Sequence, residues 1–233
     1  MTAPDLIVAL YPPPVRERWG DEIGREIDER GARSWADAIG GALRLWLHPS
    51  DWPETTAGQT RRVLAAALFA VVAAVALLLR ASAPAGAWWL APILAGALLA
   101  APLPRLRALP GIAAASVRTM AAPTAGGLAL IALANSGLVD RPAGFAAVLL
   151  LAYYWATLAF IAVRLCTLVA RVLRLGIVPT RRRLRAALLL VGAGTALAAA
   201  QCLLAGGLLV TTVLAALAAV ALHAGQDLRG PAR

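Results

Sequence analysis

The chain contains no lysine, and histidine and cysteine occur only twice each among its 233 residues. All 22 basic residues are therefore arginine, a bias that, with abundant alanine, glycine and proline, is typical of a GC-rich genome. The choice of arginine over lysine thus carries little functional weight. Cys166 and Cys202 lie at or inside apolar stretches without the spacing of a metal or redox motif, which predicts that both are packing residues.

Motifs of nucleotide and hydrolytic chemistry are also missing. The chain has no glycine-rich phosphate-binding loop, no HExxH and no GxSxG, and its histidines, His48 and His223, are 175 positions apart. The apolar stretches carry no charged residue near their middle, which argues against a proton-coupled carrier because such carriers usually need an ionisable group in the membrane. We therefore predict no enzymatic activity, catalytic residue, cofactor or metal site.

Long apolar runs dominate what is present. Hydrophobic residues make up 61% of the chain and the mean hydropathy is +0.74. About 20 apolar residues in a helix cross a hydrocarbon layer about 30 Å thick. The pattern predicts an all-α fold, a polytopic membrane helix bundle of about six spans with a small N-terminal cytoplasmic helical module at residues 1–60. The predicted spans are about 63–79, 85–103, 120–139, 143–163, 186–204 and 207–222.

The last two spans come from one uncharged stretch, Ala186–Leu222, of 37 residues. As a single helix it would be about 55 Å long, too long for one crossing. Gly206-Gly207 near its middle favours a helical hairpin. The alternative is one span plus a re-entrant segment, which would place the C-terminus on the other side of the membrane.

The distribution of arginine predicts the topology. Residues 1–60 carry ten acidic residues and six arginines, whereas residues 61–233 carry two and sixteen. In the six-span arrangement, loops on one side hold ten arginines and loops on the other hold two. By the positive-inside rule both termini, including a tail at residues 224–233, are cytoplasmic in a bacterial plasma (inner) membrane. The basic loops lie beside apolar spans, so we expect membrane lipids rather than nucleic acid as their partner.

The segment Arg164–Arg185 combines arginines with apolar residues at helical spacing. The fourth span is therefore predicted to continue as an amphipathic helix along the inner surface. Thr180 is placed to cap the next helix. The segment is either a topology anchor or a docking surface for a cytosolic protein, and the candidate docking residues are Arg171 and Arg174.

Residues 1–60 have the pattern of amphipathic helices rather than of a span. A helix is predicted over Val15–Arg33, and a second helix, capped by Ser34, ends at His48-Pro49. The stretch Ser50–Thr60 is predicted to be a hinge into the first span. The residues predicted to face inward are Val15, Trp19, Ile23 and Ile27 in the first helix and Trp35, Ala38, Ile39, Ala42 and Trp46 in the second.

Acidic residues cover the other faces of the first helix. Their spacing is typical of a solvated helix face and lacks the alternating oxygen ligands and turn glycine of a calcium loop. Attractive i,i+4 pairs are predicted for Arg18/Glu22, Asp21/Arg25 and Glu26/Arg30. If this module binds a cytosolic protein, the candidate docking residues are Trp19, Glu22, Glu26 and Glu29.

The N-terminus resembles a known family. Leu10-Tyr11-Pro12, followed by Arg16 and the run Arg18-Trp19-Gly20-Asp21-Glu22-Ile23, is similar to the permease prefix domain that precedes the membrane region of many bacterial permeases. Similar N-termini are found in small actinobacterial membrane proteins. The resemblance covers about residues 6–50 and implies a cytoplasmic helical module beside a transport or signalling machine. It supplies no catalytic residues.

Polar residues inside the spans are few and mild. A path for an amphipathic substrate is one interpretation and interhelical hydrogen bonding is the other. A row of small residues, Gly192, Ala196 and Ala200, suits close helix contact but has little specificity in an alanine-rich chain. The candidate path residues are Tyr153, Tyr154, Thr157 and Gln201.

Two functions fit these features. The first is a permease-like subunit of an ATP-driven export complex that relies on a separate ATPase, with the Arg164–Arg185 segment as its contact. The second is a non-transporting membrane regulator or scaffold whose acidic N-terminal module binds a cytosolic regulatory protein. Either function is compatible with a homo- or hetero-oligomer.

Overall fold

The computed structural model describes residues 2–54, 56–82, 88–103, 109–135, 145–175 and 177–228. These residues form helices and no strand, in agreement with the all-α prediction. One isolated antiparallel bridge joins Leu103 and Ile177, where the Ile177 N–H donates to the Leu103 carbonyl at 3.0 Å.

The helices follow the chain in a simple order. Short 3-10 turns at Gly31–Ser34 and Pro49–Asp51 flank the third helix. The α-helices are α1 Ala3–Ala9, α2 Pro13–Arg30, α3 Trp35–Leu47, α4 Gln59–Ser82, α5 Leu90–Ala100, α6 Leu109–Asn135, α7 Phe145–Leu175, α8 Arg181–Leu204 and α9 Leu208–Asp227.

Five segments of these helices are long and apolar enough to cross a membrane, as fits a multi-pass membrane protein. The predicted second span is helical over α5, whose 11 residues reach only about 16 Å at 1.5 Å per residue. Its flanks, 83–87 and 104–108, lie outside the described residues, so the count of six spans stays a prediction. The five segments are Gln59–Leu79, Leu109–Leu133, Val148–Leu173, Arg181–Leu204 and Leu208–Asp227.

The third of the predicted spans begins earlier than expected. Helix α6 starts at Leu109, so Arg118, which was predicted in a loop, lies within a helix and is exposed. Pro110 is tolerated because it falls in the first helical turn, and the alanines that follow favour helix although they are only weakly apolar. The loop predicted to hold Asp140 and Arg141 lies outside the described residues.

Three local predictions are confirmed. Helix α7 runs without a break for 31 residues, about 46 Å, so the fourth span does continue into the basic segment. The Thr180 side chain accepts a hydrogen bond from the Arg183 N–H at 3.3 Å and caps α8. The hairpin turns at Gly206, whose φ of +80° suits glycine.

Four of the apolar helices pack together, and two others, α6 and α7, lie at one side of this group. Helices α5 and α9 flank α8, and α4 contacts all three. Helix α7 packs on the other side of α4, and α6 packs on α7. Within the apolar segments, 50% of α8 residues are buried, against 11% for α6 and for α7. The core therefore centres on α8, and α6 and α7 leave most of their apolar surface exposed.

Small residues let α8 approach its neighbours closely, but the predicted row is only partly correct. A Cβ atom at Gly192 would lie 2.7 Å from the Leu222 side chain of α9. Ala196 and Ala200 are exposed instead. Because an α-helix has 3.6 residues per turn, a row taken every four residues moves gradually around the helix and away from the face on which it began. The buried face of α8 includes Thr195 and Ala199 instead of Ala196 and Ala200.

Helix α1 contacts both α2 and α3, but the inward faces predicted for the two longer helices are only partly correct. In α2, Val15 and Ile27 are buried and Ile23 packs against the core, whereas Trp19 lies at the exposed edge. In α3, Ala42 is buried and Trp46 packs against the core, whereas Trp35 and Ile39 are exposed because α3 packs against α9 and α1.

Ser34 does not cap α3, contrary to the prediction. Its backbone is already helical, with φ −86° and ψ −9°, and its hydroxyl donates to the Gly31 carbonyl at 2.9 Å.

Candidate functional site: the junction of the N-terminal helices with the apolar bundle

The N-terminal helices and the apolar bundle share one hydrophobic core. Burying apolar side chains from both parts removes them from water together, so the two parts are expected to hold a fixed relative position. The predicted hinge at Ser50–Thr60 contributes buried residues to this junction instead of standing free. Core members from the N-terminal part are Tyr11, Val15, Ala42 and Trp52, and members from the bundle include Leu64, Leu68, Leu173, Leu184, Leu188 and Ala224.

Two tryptophans hold the junction together. Trp52 is 5% exposed, and its Nε1–H donates to the Leu45 carbonyl at 2.6 Å. Its ring meets Trp46 edge to face, with centroids 5.2 Å apart. The Trp46 Nε1–H donates to the Leu10 carbonyl at 2.7 Å, which ties α3 to the end of α1. The Trp52 ring is buried and the Trp46 ring is half-buried, and each indole N–H has a hydrogen-bond acceptor.

An apolar cavity of about 50 Å³ lies under Trp46. No polar atom contributes to its surface, which makes it a packing gap rather than a site for a polar ligand. The other lining residues come from α4, α8 and α9 and include Leu64, Leu68, Leu188, Val191 and Ala221.

Polar contacts join the N-terminal part to the end of α9. The Ser50 N–H donates to Asp227 Oδ2 at 2.9 Å, although Asp227 falls in the segment predicted as a tail. The rings of His48 and His223 lie 5.2 Å apart between centroids, with their planes 80° apart. The two histidines of the chain therefore meet in space, which their separation in sequence did not predict.

An open cleft of about 510 Å³ separates α2 from α4 and α7. Its polar wall carries Glu17, which accepts a hydrogen bond from Gln59 at 2.5 Å, and Arg62. Arg62 donates to Thr56 Oγ1 and to the Ala57 carbonyl, both at 3.2 Å. The opposite wall is apolar and is formed by Val63, Ala66, Ala170 and Leu173.

The predicted acidic docking residues lie on the solvent side of α2. Glu22, Glu26 and Glu29 are all exposed. Of the three predicted i,i+4 pairs, only Glu26 with Arg30 comes within ion-pair distance among the described residues, at 3.1 Å. Both side chains are largely exposed, so this pair contributes little to stability. Trp19 is 38% exposed at the margin of this face.

Tyr11, part of the motif that resembles the permease prefix domain, forms a hydrogen bond between two of the N-terminal helical segments. Its hydroxyl donates to the Ala38 carbonyl at 2.9 Å and so links α3 to the turn after α1. Burial raises the pKa of Tyr11, and the negative charge of Glu26 adds to the effect. The phenol therefore stays neutral and acts as a hydrogen-bond donor within the N-terminal helices.

The predicted basic docking residues lie near the end of α7. Arg171 is exposed, and its guanidinium donates to the buried Thr119 hydroxyl of α6 at 3.3 Å. The side chain of Arg174 lies outside the described part of the structure. Arg164, about two helical turns before Arg171, places its guanidinium over the Phe160 ring, 5.0 Å from the ring centroid. The exposed end of α7 thus carries positive charge on a helix anchored by α4 and α6.

The four residues of the predicted substrate path are divided between two helices. Tyr153 is exposed on α7, Tyr154 meets Trp155 edge to face at 5.6 Å, and the buried Thr157 faces Gly126 of α6. Gln201 belongs to α8, which packs against α4, α5 and α9. Its buried Oε1 has no hydrogen-bond partner among the described residues. The path stays a prediction.

Comparison with known proteins identified no match for the chain. No protein-family model, no curated protein and no solved structure matches it. The resemblance of the N-terminus to the permease prefix domain therefore stays a prediction from the motif alone.

Proposed function

We propose that this chain is a membrane-bound docking subunit, in which the apolar helices hold the N-terminal helices at the cytoplasmic surface and the acidic face of α2 binds a basic cytosolic protein. The observation that carries the proposal is the division of α2 into two faces. Val15 and Ile27 are buried, whereas the carboxylates of Glu22, Glu26 and Glu29 face solvent. Helix α2 carries six acidic residues and four arginines, a net charge of −2. A surface of net negative charge held in a fixed position attracts and orients a positively charged partner.

The topology in this proposal is the predicted one. Six spans, with both termini in the cytoplasm of a bacterial cell, place α2 on the same side as the arginine-rich end of α7. The resemblance to the permease prefix domain supports the same placement. Because the N-terminal helices share a core with the bundle, a partner bound to α2 would be held at a fixed distance from the membrane.

Neutralising the acidic face should release the partner. The variant Glu22→Gln/Glu26→Gln/Glu29→Gln keeps side-chain size and removes three exposed charges, so we expect recovery of the cytosolic partner to fall roughly tenfold or more. The measurement is affinity purification from native membranes in mild detergent, with mass spectrometry of the proteins that co-purify.

A matched control removes three exposed acidic charges outside α2. The variant Asp37→Asn/Asp51→Asn/Glu54→Gln has the same net charge as the first variant and leaves the proposed face intact. We expect it to retain the partner at the wild-type level. Equal recovery from both variants would refute binding through α2, whichever protein is recovered.

A second candidate is the permease-like subunit of an ATP-driven exporter. The observation in its favour is the length of α7, whose 31 residues exceed one membrane crossing and leave Arg171 exposed near its end. A cytosolic ATPase could dock there. In this case the associated protein would be an ATPase, and the acidic face would be dispensable for its recovery.

Charge reversal at the end of α7 tests the exporter. We expect Arg171→Glu/Arg174→Glu to abolish co-purification of an ATPase, since like charges would then oppose each other at the interface. Arg33→Glu, an exposed arginine near the start of α3, is the control and should leave recovery unchanged. An ATPase recovered equally from both variants would remove α7 as its docking site.

A further inference from the structure

The two histidines of the chain meet edge to face at the junction, with their ring centroids 5.2 Å apart. His48 Nδ1 lies 2.9 Å from the Arg44 carbonyl oxygen. A carbonyl only accepts hydrogen bonds, so Nδ1 must carry the proton, and the lone pair of the neutral ring is then on Nε2. A backbone carbonyl that fixes the tautomer and the orientation of a ring in this way is the usual outer partner of a metal-binding histidine.

The distance between the two rings fits coordination of a single ion. With a metal–nitrogen bond of about 2.1 Å, the centre of an imidazole ring lies about 3.2 Å from the ion. Two such rings at a tetrahedral angle have centroids about 5.2 Å apart. The separation between His48 and His223 is 5.2 Å. His223 is exposed, so its ring can turn towards a shared ion without displacing a buried neighbour.

We propose that His48 and His223 form a binding site for a divalent transition-metal ion of the Zn²⁺ and Cu²⁺ class. Imidazole nitrogen favours these ions over Mg²⁺ and Ca²⁺, which take oxygen ligands. Among the described residues, no third His, Cys, Asp or Glu joins the two rings in a ligand set. Water therefore completes the coordination, and the ion is exchangeable.

The position of the site gives the ion a mechanical role. His48 follows α3 and His223 is on α9, so one ion would cross-link two parts of the chain that are 175 residues apart. The same junction holds the hydrogen bond from Ser50 to Asp227, one turn further along α9. Metal binding would thus fasten the N-terminal helices to the bundle.

Calorimetric titration with Zn²⁺ tests the site in the full chain, purified in detergent through a tag without histidine. We expect one ion per chain, and an affinity at least tenfold lower in His48→Asn and in His223→Asn. The amide of His48→Asn can still donate to the Arg44 carbonyl but offers no nitrogen at the Nε2 position. Single variants that bind Zn²⁺ as tightly as the wild type, or a wild type no tighter than the double variant, would overturn the proposal.

A second measurement gives its main result on the wild-type chain alone. The electron paramagnetic resonance spectrum of the wild-type chain with one equivalent of Cu²⁺ should show two equatorial nitrogen ligands, and each single variant that folds should show one. Zn²⁺ should also raise the melting temperature of the wild type and leave that of His48→Asn unchanged. A wild-type spectrum with fewer than two nitrogens would contradict the site.

Discussion

Replacing Gly96 with leucine should destabilise the bundle by about 1–3 kcal/mol or more and separate α5 from α8. A Cβ atom at this position would lie 2.7 Å from the Ala187 carbonyl oxygen and 2.7 Å from Val191 Cγ2. The backbone carbonyl cannot rotate away as a flexible side chain would, so the helices must move apart. Thermal unfolding in detergent, followed by circular dichroism, measures the loss.

Gly127→Leu provides the matched control for this prediction. Gly127 lies in an apolar helix, α6, but a Cβ atom there meets nothing within 4 Å. Both substitutions replace a helical glycine and gain the same helix propensity, so they differ only in the space around the residue. We expect Gly127→Leu to unfold at or above the wild-type temperature. If the two variants unfold at the same temperature, α5 does not pack on α8 through Gly96.

Truncating Trp52 to alanine should release the N-terminal helices from the bundle. The substitution empties a site in the shared core and removes the hydrogen bond to the Leu45 carbonyl, and loss of a buried tryptophan costs about 3–5 kcal/mol. We expect proteolytic cleavage after residue 47 to become much faster while the apolar helices stay folded. Limited proteolysis in detergent with mass spectrometry of the fragments measures this.

Two further variants separate packing from hydrogen bonding at this position. Trp52→Phe keeps an aromatic ring but has no N–H for the Leu45 carbonyl, so its cleavage rate should be intermediate. Trp88→Ala removes the same side chain from a position that is 55% exposed and should behave as the wild type. Cleavage of Trp52→Ala at the wild-type rate would show that the segment after α3 is the independent hinge that its composition predicts.

Structural features that depend only on neighbouring residues were predictable from the sequence. The hairpin turn at Gly206, the cap at Thr180 and the continuation of α7 beyond its apolar part all follow from residues within one or two turns. Each depends on local backbone conformation or on hydrogen bonds inside one helix. The all-α class and the presence of apolar helices long enough to cross a membrane follow from composition and run length for the same reason.

The contacts between distant residues were not predictable, because many faces of these helices are almost equally apolar. Helix α5 buries Ile93 and Gly96, whereas Leu94 and Leu98, which are as apolar, are 53% and 72% exposed. No periodicity in a uniformly apolar helix says which face meets a neighbour. That choice depends on where small residues allow backbones to approach, as at Gly96 and Gly194.

The same distinction between local and long-range features applies to the candidate site. The exposed carboxylates of α2 and the arginines of α7 could be predicted from the sequence, because charged residues on one helix face recur with the helical period. The burial of Trp52, and the meeting of His48 with His223, result from docking α3 and the 3-10 turn that follows it against α9. Amphipathic periodicity thus specifies which helices form and where their charges lie, while close packing among chemically similar surfaces specifies which distant residues share a site.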